Sequence, residues 1–461
     1  PEFKNPADER VQYVKDSGNR VGLLARQLFP GGVDASPPDA FSYQQSVIKT
    51  RELIAQGASI IYEAAFQHEG VLCAVDILVN EGEAWRAYEV KGTGRVKPQH
   101  TDDAAFQYYV IRNSGIVLAD IAIVYLNTQY IRRDALEAEL LFKKQSILHE
   151  VIDLQNTVQQ KITALKNVLK QPEPETDIGP HCSTPYDCDF TNYCHAHVPK
   201  IDSVFELAPQ TAWKLYAGGY LHLDQIPRHY PLNYADAHQL AHYRSGEISV
   251  NQQALHNFLQ GIQYPVYFLD FETVWPGVPE FNDTKPFQHI PFQFSLHVQH
   301  TADSVAEHYE FLGDGHTDPR EALTAELMLR IGAAGTILCY NTTFEKLRLK
   351  ELAQHYPEHA NVLMDFSQRL TDLMTPFQKR WYYHPEFKGG YSIKTVLPIL
   401  CPDLRYNKLP IQEGQMAGIV YAQLKLQDAH TAALQREHLL AYCKMDTWAM
   451  VRVLECLRKL K

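Results

Sequence analysis

The stretch VYFLDFETVW, residues 266–275, sets two carboxylates, Asp270 and Glu272, at the end of an otherwise apolar strand. Residues two apart on a strand point to the same face. Buried charge is costly unless it is paired or holds a metal, so the pair predicts a cation nearby. Downstream, CYNTTFEKLRLKEL (339–352) places Asn341, Phe344 and Glu345 where a strand gives way to a helix, and Glu345 supplies a third carboxylate. In LLAYCKMDTWAMVRVL (439–454), Tyr442 and Asp446 are four residues apart and so share one helix face. Asp446 lies between apolar turns, an odd position for a carboxylate without a ligand. Between these segments, HPEFKGGYSIKTVLP (384–398) adds Lys388, Tyr391, Ser392 and Lys394, two cations beside a tyrosine and a serine.

The rest of the chain bounds the reading. At 461 residues, two or three domains are expected. A hydrophobic content of 45% with 21% charged residues is ordinary for a soluble globular protein. There is no apolar run of roughly eighteen residues, so no membrane helix is expected, and no secretory signal pattern opens the chain. The opening Pro1-Glu2-Phe3 reads as a cloning remnant. A net charge of −11 argues against a surface coated with nucleic acid, but not against an enzyme whose site holds divalent cations. Eight cysteines in this length do not make a secreted disulfide framework, so the cytoplasm is the expected compartment.

Residues 1–200 mix helices and strands. SYQQSVIKTRELIAQG and TDDAAFQYYVIRNSG read as helices, and residues 134–170 as one long helical stretch. SIIYEAAFQHEGVLCAVDILVN reads as two strands about a turn at Glu69-Gly70, followed by strands in AWRAYEVKG and VLADIAIVYLN. Residues 201–262 read as a polar helical linker. Residues 263–461 alternate strands with helices at 319–332, 343–355 and 434–459. The expected fold class is α/β, with two mixed domains flanking the linker.

A second constellation lies in the first domain. CAVDILV puts Asp76 on one strand, and AYEVKG puts Glu89 and Lys91 on one face of the next. Two carboxylates can bind a cation, while a lysine stabilises charge developing on phosphate. Glu63 is a further candidate ligand, and Gln107, with Tyr108 or Tyr109, begins a helix facing the same strands. His68 and His100 are further candidate side chains of this segment, each also readable as a surface residue. HCSTPYDCDFTNYCHAH then carries Cys182, Cys188 and Cys194, each separated from the next by five residues.

The motifs of 262–461, in this order, resemble the DnaQ-like (DEDD) 3′→5′ exonucleases of RNase H-like fold, in the subclass with a tyrosine four residues before the last aspartate. Glu345 stands where that family usually carries aspartate. The resemblance implies metal ligation by Asp270, Glu272, Glu345 and Asp446, with Tyr442 orienting the attacking water. It also makes Asn341, Lys388, Tyr391 and Lys394 nucleic-acid contacts. Mg²⁺ or Mn²⁺ suits an all-oxygen site. The first domain resembles the RecB-like branch of PD-(D/E)xK, restriction-endonuclease-like nucleases, with Asp76, Glu89, Lys91 and Gln107 catalytic and Asp76, Glu89 and Glu63 as metal ligands. In the iron–sulfur members of that branch, three cysteines follow the nuclease core and a fourth lies upstream. Here nothing before Cys73 is a cysteine. A [4Fe–4S] cluster on Cys182, Cys188 and Cys194 would need a ligand from beyond the given N-terminus, and a Zn²⁺ site would draw on His195 or His197. The whole arrangement resembles a bacterial family of two-nuclease proteins of unknown function. It implies a nuclease acting on DNA ends or single strands, in repair or defence. An RNA-directed 3′ exonuclease, a binding scaffold with inactive sites and a redox sensor built on the cysteines stay open as rivals.

Overall fold

A computed structural model describes residues 3–6, 9–39 and 41–460. Packing divides the chain into two units: Pro6–Asp177 with Trp275–Gln288, and Pro1–Asn5 with Ile178–Val274 and His289–Lys461. The sequence predicts divisions at 200 and 262. By packing, the division falls at 177/178 instead, so the cysteine stretch and residues 201–262 group with the C-terminal strands. Residues 201–262 keep a small core of their own, built from Val204, Leu207, Leu215, Leu223, Ile226 and Leu240.

The first unit holds a six-stranded sheet in the order β1-β2-β3-β4-β5-β6. Its strands are β1 (Val33–Asp34), β2 (Ile60–His68), β3 (Val71–Asn80), β4 (Trp85–Lys91), β5 (Leu118–Leu126) and β6 (Phe142–Ser146). β1/β2 and β4/β5 are parallel, and the other pairs antiparallel. Around the sheet lie α1 (Glu9–Ala25), α2 (Tyr43–Ala55), α3 (Pro98–Asn113), α4 (Ala138–Leu141), α5 (Leu148–Asp153) and α6 (Gln155–Val168). The helix expected across 134–170 is broken by β6. Phe142 and Ile147 are buried at its two ends, and its backbone completes the ladder of β5. Pairing to a sheet edge thus overrides local helical periodicity, and the exposed Lys143 and Lys144 guard the new edge. The segment Trp275–Gln288 belongs to this unit because Val278 and Phe287 join its core, and Arg132 donates to the carbonyls of Pro279 and Glu280 at 3.1 and 2.7 Å.

The second unit runs through α7 (Thr191–Cys194), α8 (Pro209–Ala217), α9 (Tyr234–Ser245), β7 (Ser249–Val250) and α10 (Gln252–Gln260). It then enters β8 (Val266–Val274), β9 (Ile290–Gln299), β10 (Glu307–Leu312), α11 (Arg320–Arg330) and β11 (Thr336–Cys339). It continues with α12 (Thr342–His355), α13 (Ala360–Gln368), β12 (Leu370–Asp372), α14 (Thr375–Gln378) and β13 (Tyr382–Tyr383). The last helices are α15 (Ile393–Leu400), α16 (Gly414–Gln423) and α17 (Ala429–Lys459). The five-stranded sheet has the order β10-β9-β8-β11-β12, antiparallel on one side of β8 and parallel on the other. Asp270 and Glu272 therefore lie on its central strand, and α17 packs against β8 and β9. Among the described residues no helix is long and apolar enough to cross a membrane.

Candidate functional site

In the second unit three separate segments converge on Asp270. β8 delivers Asp270 and Glu272, and a register shift after Glu272 ends the regular pairing with β9. The turn from β11 into α12 delivers Glu345. Asn341 holds that turn with a left-handed backbone (φ 75°), a conformation asparagine tolerates better than most residues. Its N–H and that of Thr342 donate to the Asp372 carboxylate at 3.0 and 3.1 Å. α17 delivers Tyr442, Cys443 and Asp446, all buried.

These groups crowd negative charge away from water. Burial, then the charges of Asp446, Glu272 and Glu345, raise the Asp270 carboxyl well above its usual range. Glu272 is raised likewise by burial and by Asp446, against the pull of Lys394. Burial lifts Glu345 to about 8, and its Oε2 is buried without a hydrogen-bond partner. Burial lifts Asp446 to about 6, restrained by the Tyr406 hydroxyl and by Lys394. Burial and the same carboxylates hold the Tyr442 hydroxyl proton on far above neutrality.

Among the described residues, Asp270, Glu272 and Cys443 offer ligand atoms that all lie within 4.8 Å of one another. The backbone leaves room for this: a Cβ on Gly414 would stand 3.2 Å from Glu272 Oε2. The partnerless Glu345 oxygen, the converging donors and the glycine at their edge fit a bound cation.

Lys394 donates to the Tyr442 hydroxyl at 3.3 Å and to the Gln412 carbonyl, and its ammonium sits 5.4 and 5.3 Å from the ring centres of Tyr406 and Tyr442. Lys388 instead pairs with Glu206 at 2.7 Å. Tyr391 is exposed, with its carbonyl accepting from Tyr340. Asn341 is exposed at the turn, and Ser392 caps α15. Phe344 packs edge-on to His289.

Two contacts here were missed in the sequence. The Tyr406 hydroxyl donates to Asp446 Oδ1 at 2.6 Å. Tyr406 comes from a short turn with no periodic pattern, so only the fold reveals it. The Cys443 thiol donates to Asp270 Oδ2 at 3.6 Å. Its position three residues before Asp446 on the same helix was a usable signal.

In the first unit a cavity of about 460 Å³ is lined by Asn19, Gly22, Arg26, Glu63, Asp76, Glu89 and Lys91, among others. Asp76 accepts from the Val90 N–H at 2.6 Å. Burial and the neighbouring Glu89 raise its carboxyl well above the usual range. Lys91 donates to Glu89 Oε1 at 2.8 Å and to Asp103 Oδ2 at 2.6 Å, and Gln107 donates to Glu89 Oε2 at 2.8 Å. Burial alone would lower the Lys91 ammonium, but Glu89 and Asp103 override it and keep the lysine charged.

Glu63 occupies a break in the β2–β3 pairing with φ 54°, a costly conformation for this residue type. Arg26 bridges Glu63 at 3.3 Å and Asp34 at 2.7 Å. Arg26 and Asp103 were not foreseen, although Asp103 lies four residues before Gln107 on one face of α3. His68 and His100 do not line this cavity. His68 is at the far end of β2, and His100 accepts from the Lys97 N–H at the start of α3. Tyr108 is buried against Arg112, and Tyr109 packs against His68.

Cys182, Cys188 and Cys194 are free and half-buried. Among the described residues their sulfurs do not gather into a group of the closeness seen at Asp270. His195 Nδ1 contacts the Thr191 carbonyl, and His197 engages the Cys194 carbonyl and the Tyr216 hydroxyl. Among the described residues the three thiols and an imidazole therefore do not gather into one four-ligand set.

Comparison with known proteins adds sparse context. Residues 267–392 match a domain of unknown function, DUF2779. The chain is 26% identical over 248 residues to an uncharacterized protein, UU173, of Ureaplasma parvum serovar 3, covering 47% of this chain and 34% of that protein. The match thus spans about a third of the relative's length. No solved structure matches. The segment matched by the domain begins at β8 and ends in the turn before α15, so it contains Asp270, Glu272 and Glu345, while Tyr442 and Asp446 lie beyond it.

Proposed function

We propose that this protein is a metal-dependent nuclease that hydrolyses phosphodiester bonds of DNA, removing nucleotides from 3′ ends at the Asp270 centre. One observation carries the reading. Four carboxylates from three distant segments are drawn together, Glu272, Glu345 and Asp446 buried and Asp270 half-buried, beside Tyr442, Tyr406 and Lys394. A structural role would not bring so much like charge out of water, whereas a divalent cation would repay it. The mixed five-stranded sheet, with the first acidic pair on its central strand, supports an RNase H-like fold for this unit.

Asp270, Glu272, Glu345 and Asp446 would hold Mg²⁺ or Mn²⁺. Bound cations supply charge neutralisation and a more acidic water. Tyr442 keeps a neutral hydroxyl at the edge of the carboxylates and orients a water by hydrogen bonding. Tyr406 fixes the rotamer of Asp446. Lys394 offsets part of the negative field and offers its ammonium to a phosphate oxygen. Asn341, Tyr391 and Lys388 are contacts for the strand end, with Lys388 exchanging Glu206 for phosphate.

The cavity of the first unit supports a second nuclease site of PD-(D/E)xK type. There Asp76, Glu89 and Glu63 are the cation ligands, Lys91 faces the scissile phosphate, and Gln107 orients Glu89. Such a pair of activities suits DNA repair or defence against foreign DNA.

The test is end-labelled single-stranded DNA, with matched RNA alongside, incubated with Mn²⁺ and either wild type or Asp270→Asn. A ladder shortening from the 3′ end of DNA, lost in the variant, is expected. Faster shortening of RNA would redirect the proposal to an RNA exonuclease. Stoichiometric binding without product in either protein would overturn hydrolysis in favour of a nucleic-acid-binding scaffold.

A further inference from the structure

Away from both carboxylate centres, Cys401 and Cys456 bring their sulfurs to 3.3 Å, in a chain whose cysteines are all free. Cys401 closes the C-terminus of α15 and is buried. Cys456 lies near the end of α17, is partly exposed, and also contacts the Leu400 carbonyl at 3.4 Å. A disulfide needs the sulfurs at about 2.05 Å, so closure asks for a shift of little more than an ångström. The setting also favours reaction. Reactive cysteines are partly exposed and lie beside positive charge. The hydrogen bond with Cys401, together with the charges of Lys459 and Arg452, brings the Cys456 thiol down to about 7. The buried Cys73 moves the opposite way, to about 12.

We propose that Cys401 and Cys456 form a peroxide-responsive dithiol that closes into a disulfide tying the end of α15 to α17. In the first step the Cys456 thiolate attacks one oxygen of hydrogen peroxide. A sulfur–oxygen bond forms, the oxygen–oxygen bond breaks, and the departing hydroxide takes a proton to become water. In the second step the Cys401 sulfur attacks the resulting Cys456 sulfenic acid. A disulfide forms, the sulfur–oxygen bond breaks, and the thiol proton leaves with hydroxide as a second water. Two thiols lose two electrons and one peroxide gains them. α15 carries Lys394 and α17 carries Tyr442 and Asp446, so the bond would staple two helices that frame the Asp270 centre. The proposal does not depend on what that centre does.

The full chain is treated with hydrogen peroxide, alkylated at low pH and digested without reductant. Wild type is expected to give a Cys401–Cys456 linked peptide that dithiothreitol releases. Cys456→Ser gives no link and no sulfenic acid at Cys401. Cys401→Ser leaves Cys456 as a sulfenic acid that dimedone traps. The oxidised wild type melts several degrees higher than the reduced form. A wild type whose Cys401 and Cys456 stay unlinked at peroxide doses that oxidise its other thiols would overturn the proposal, whether or not the serine variants fold.

Discussion

Tyr406 and Glu345 show how much the Asp270 centre depends on single side chains. The Tyr406 hydroxyl donates to Asp446 Oδ1 at 2.6 Å, and the Tyr442 hydroxyl also bears on that carboxyl. Removing a hydrogen bond that orients a metal-ligating carboxylate typically costs ten- to a hundred-fold in affinity or activity. Tyr406→Phe should therefore weaken Mn²⁺ binding about ten-fold, read by calorimetric titration, with little change in melting temperature. An unchanged affinity would mean that Tyr406 merely packs. Glu345 makes a prediction about pH. Its carboxyl is raised to about 8 in the folded chain, above its unfolded value, so the folded state retains a proton that the unfolded state has lost. The stability this proton confers is present in acid and disappears as pH rises through about 8. Metal-free protein should lose on the order of a few kcal/mol between about pH 5 and about pH 8. Glu345→Gln should remove its own share of that slope in urea titrations with chelator present, leaving the part carried by Asp270, Glu272 and Asp446. Mn²⁺ affinity is expected to run the other way, tightening as pH rises, because a bound cation would displace these protons.

Secondary-structure elements were legible wherever the local pattern and the fold agreed. The alternation of β8 put Asp270 and Glu272 on one face, and four-residue spacing put Tyr442 with Asp446 on α17, as observed. The pattern failed at β6, where an edge-strand ladder outweighed helical periodicity, and at Tyr406, whose loop carries no period at all. Composition alone does not place the packing boundary at 177/178, because apolar cores decide packing. One local rule is sharp enough to test. Gly335 enters β11 with φ 99°, and a Cβ there would lie 2.1 Å from the Pro265 carbonyl oxygen. Neither the backbone angle nor the overlap can be relieved by rotating a side chain. Gly335→Ala should lower stability by more than about 1 kcal/mol, measured by denaturant unfolding. Because β11 is the parallel neighbour of β8, loss of activity should track loss of fold. A variant with native stability would show that the turn rearranges freely.

At the scale of the whole molecule, the carboxylate centres belong to different packing units with separate apolar cores. The described residues that line the Asp76 cavity all belong to the first unit. Substitution effects at sites without shared partners usually add. Asp76→Asn and Asp270→Asn keep side-chain volume and replace a half-buried, strongly shifted carboxyl with a neutral amide, so both variants should fold. Asp270→Asn should abolish shortening from 3′ ends while leaving any cleavage from the first unit. Asp76→Asn should do the reverse. In the double variant all hydrolysis should cease, while nucleic acid is still retained in a gel-shift assay, because the lysines and exposed aromatics are untouched. The added salt sensitivity expected of phosphate contacts should survive as well. If either single variant silenced both activities while remaining folded, the two centres would have to act on one substrate in sequence, and the first cut would be the gate for the second.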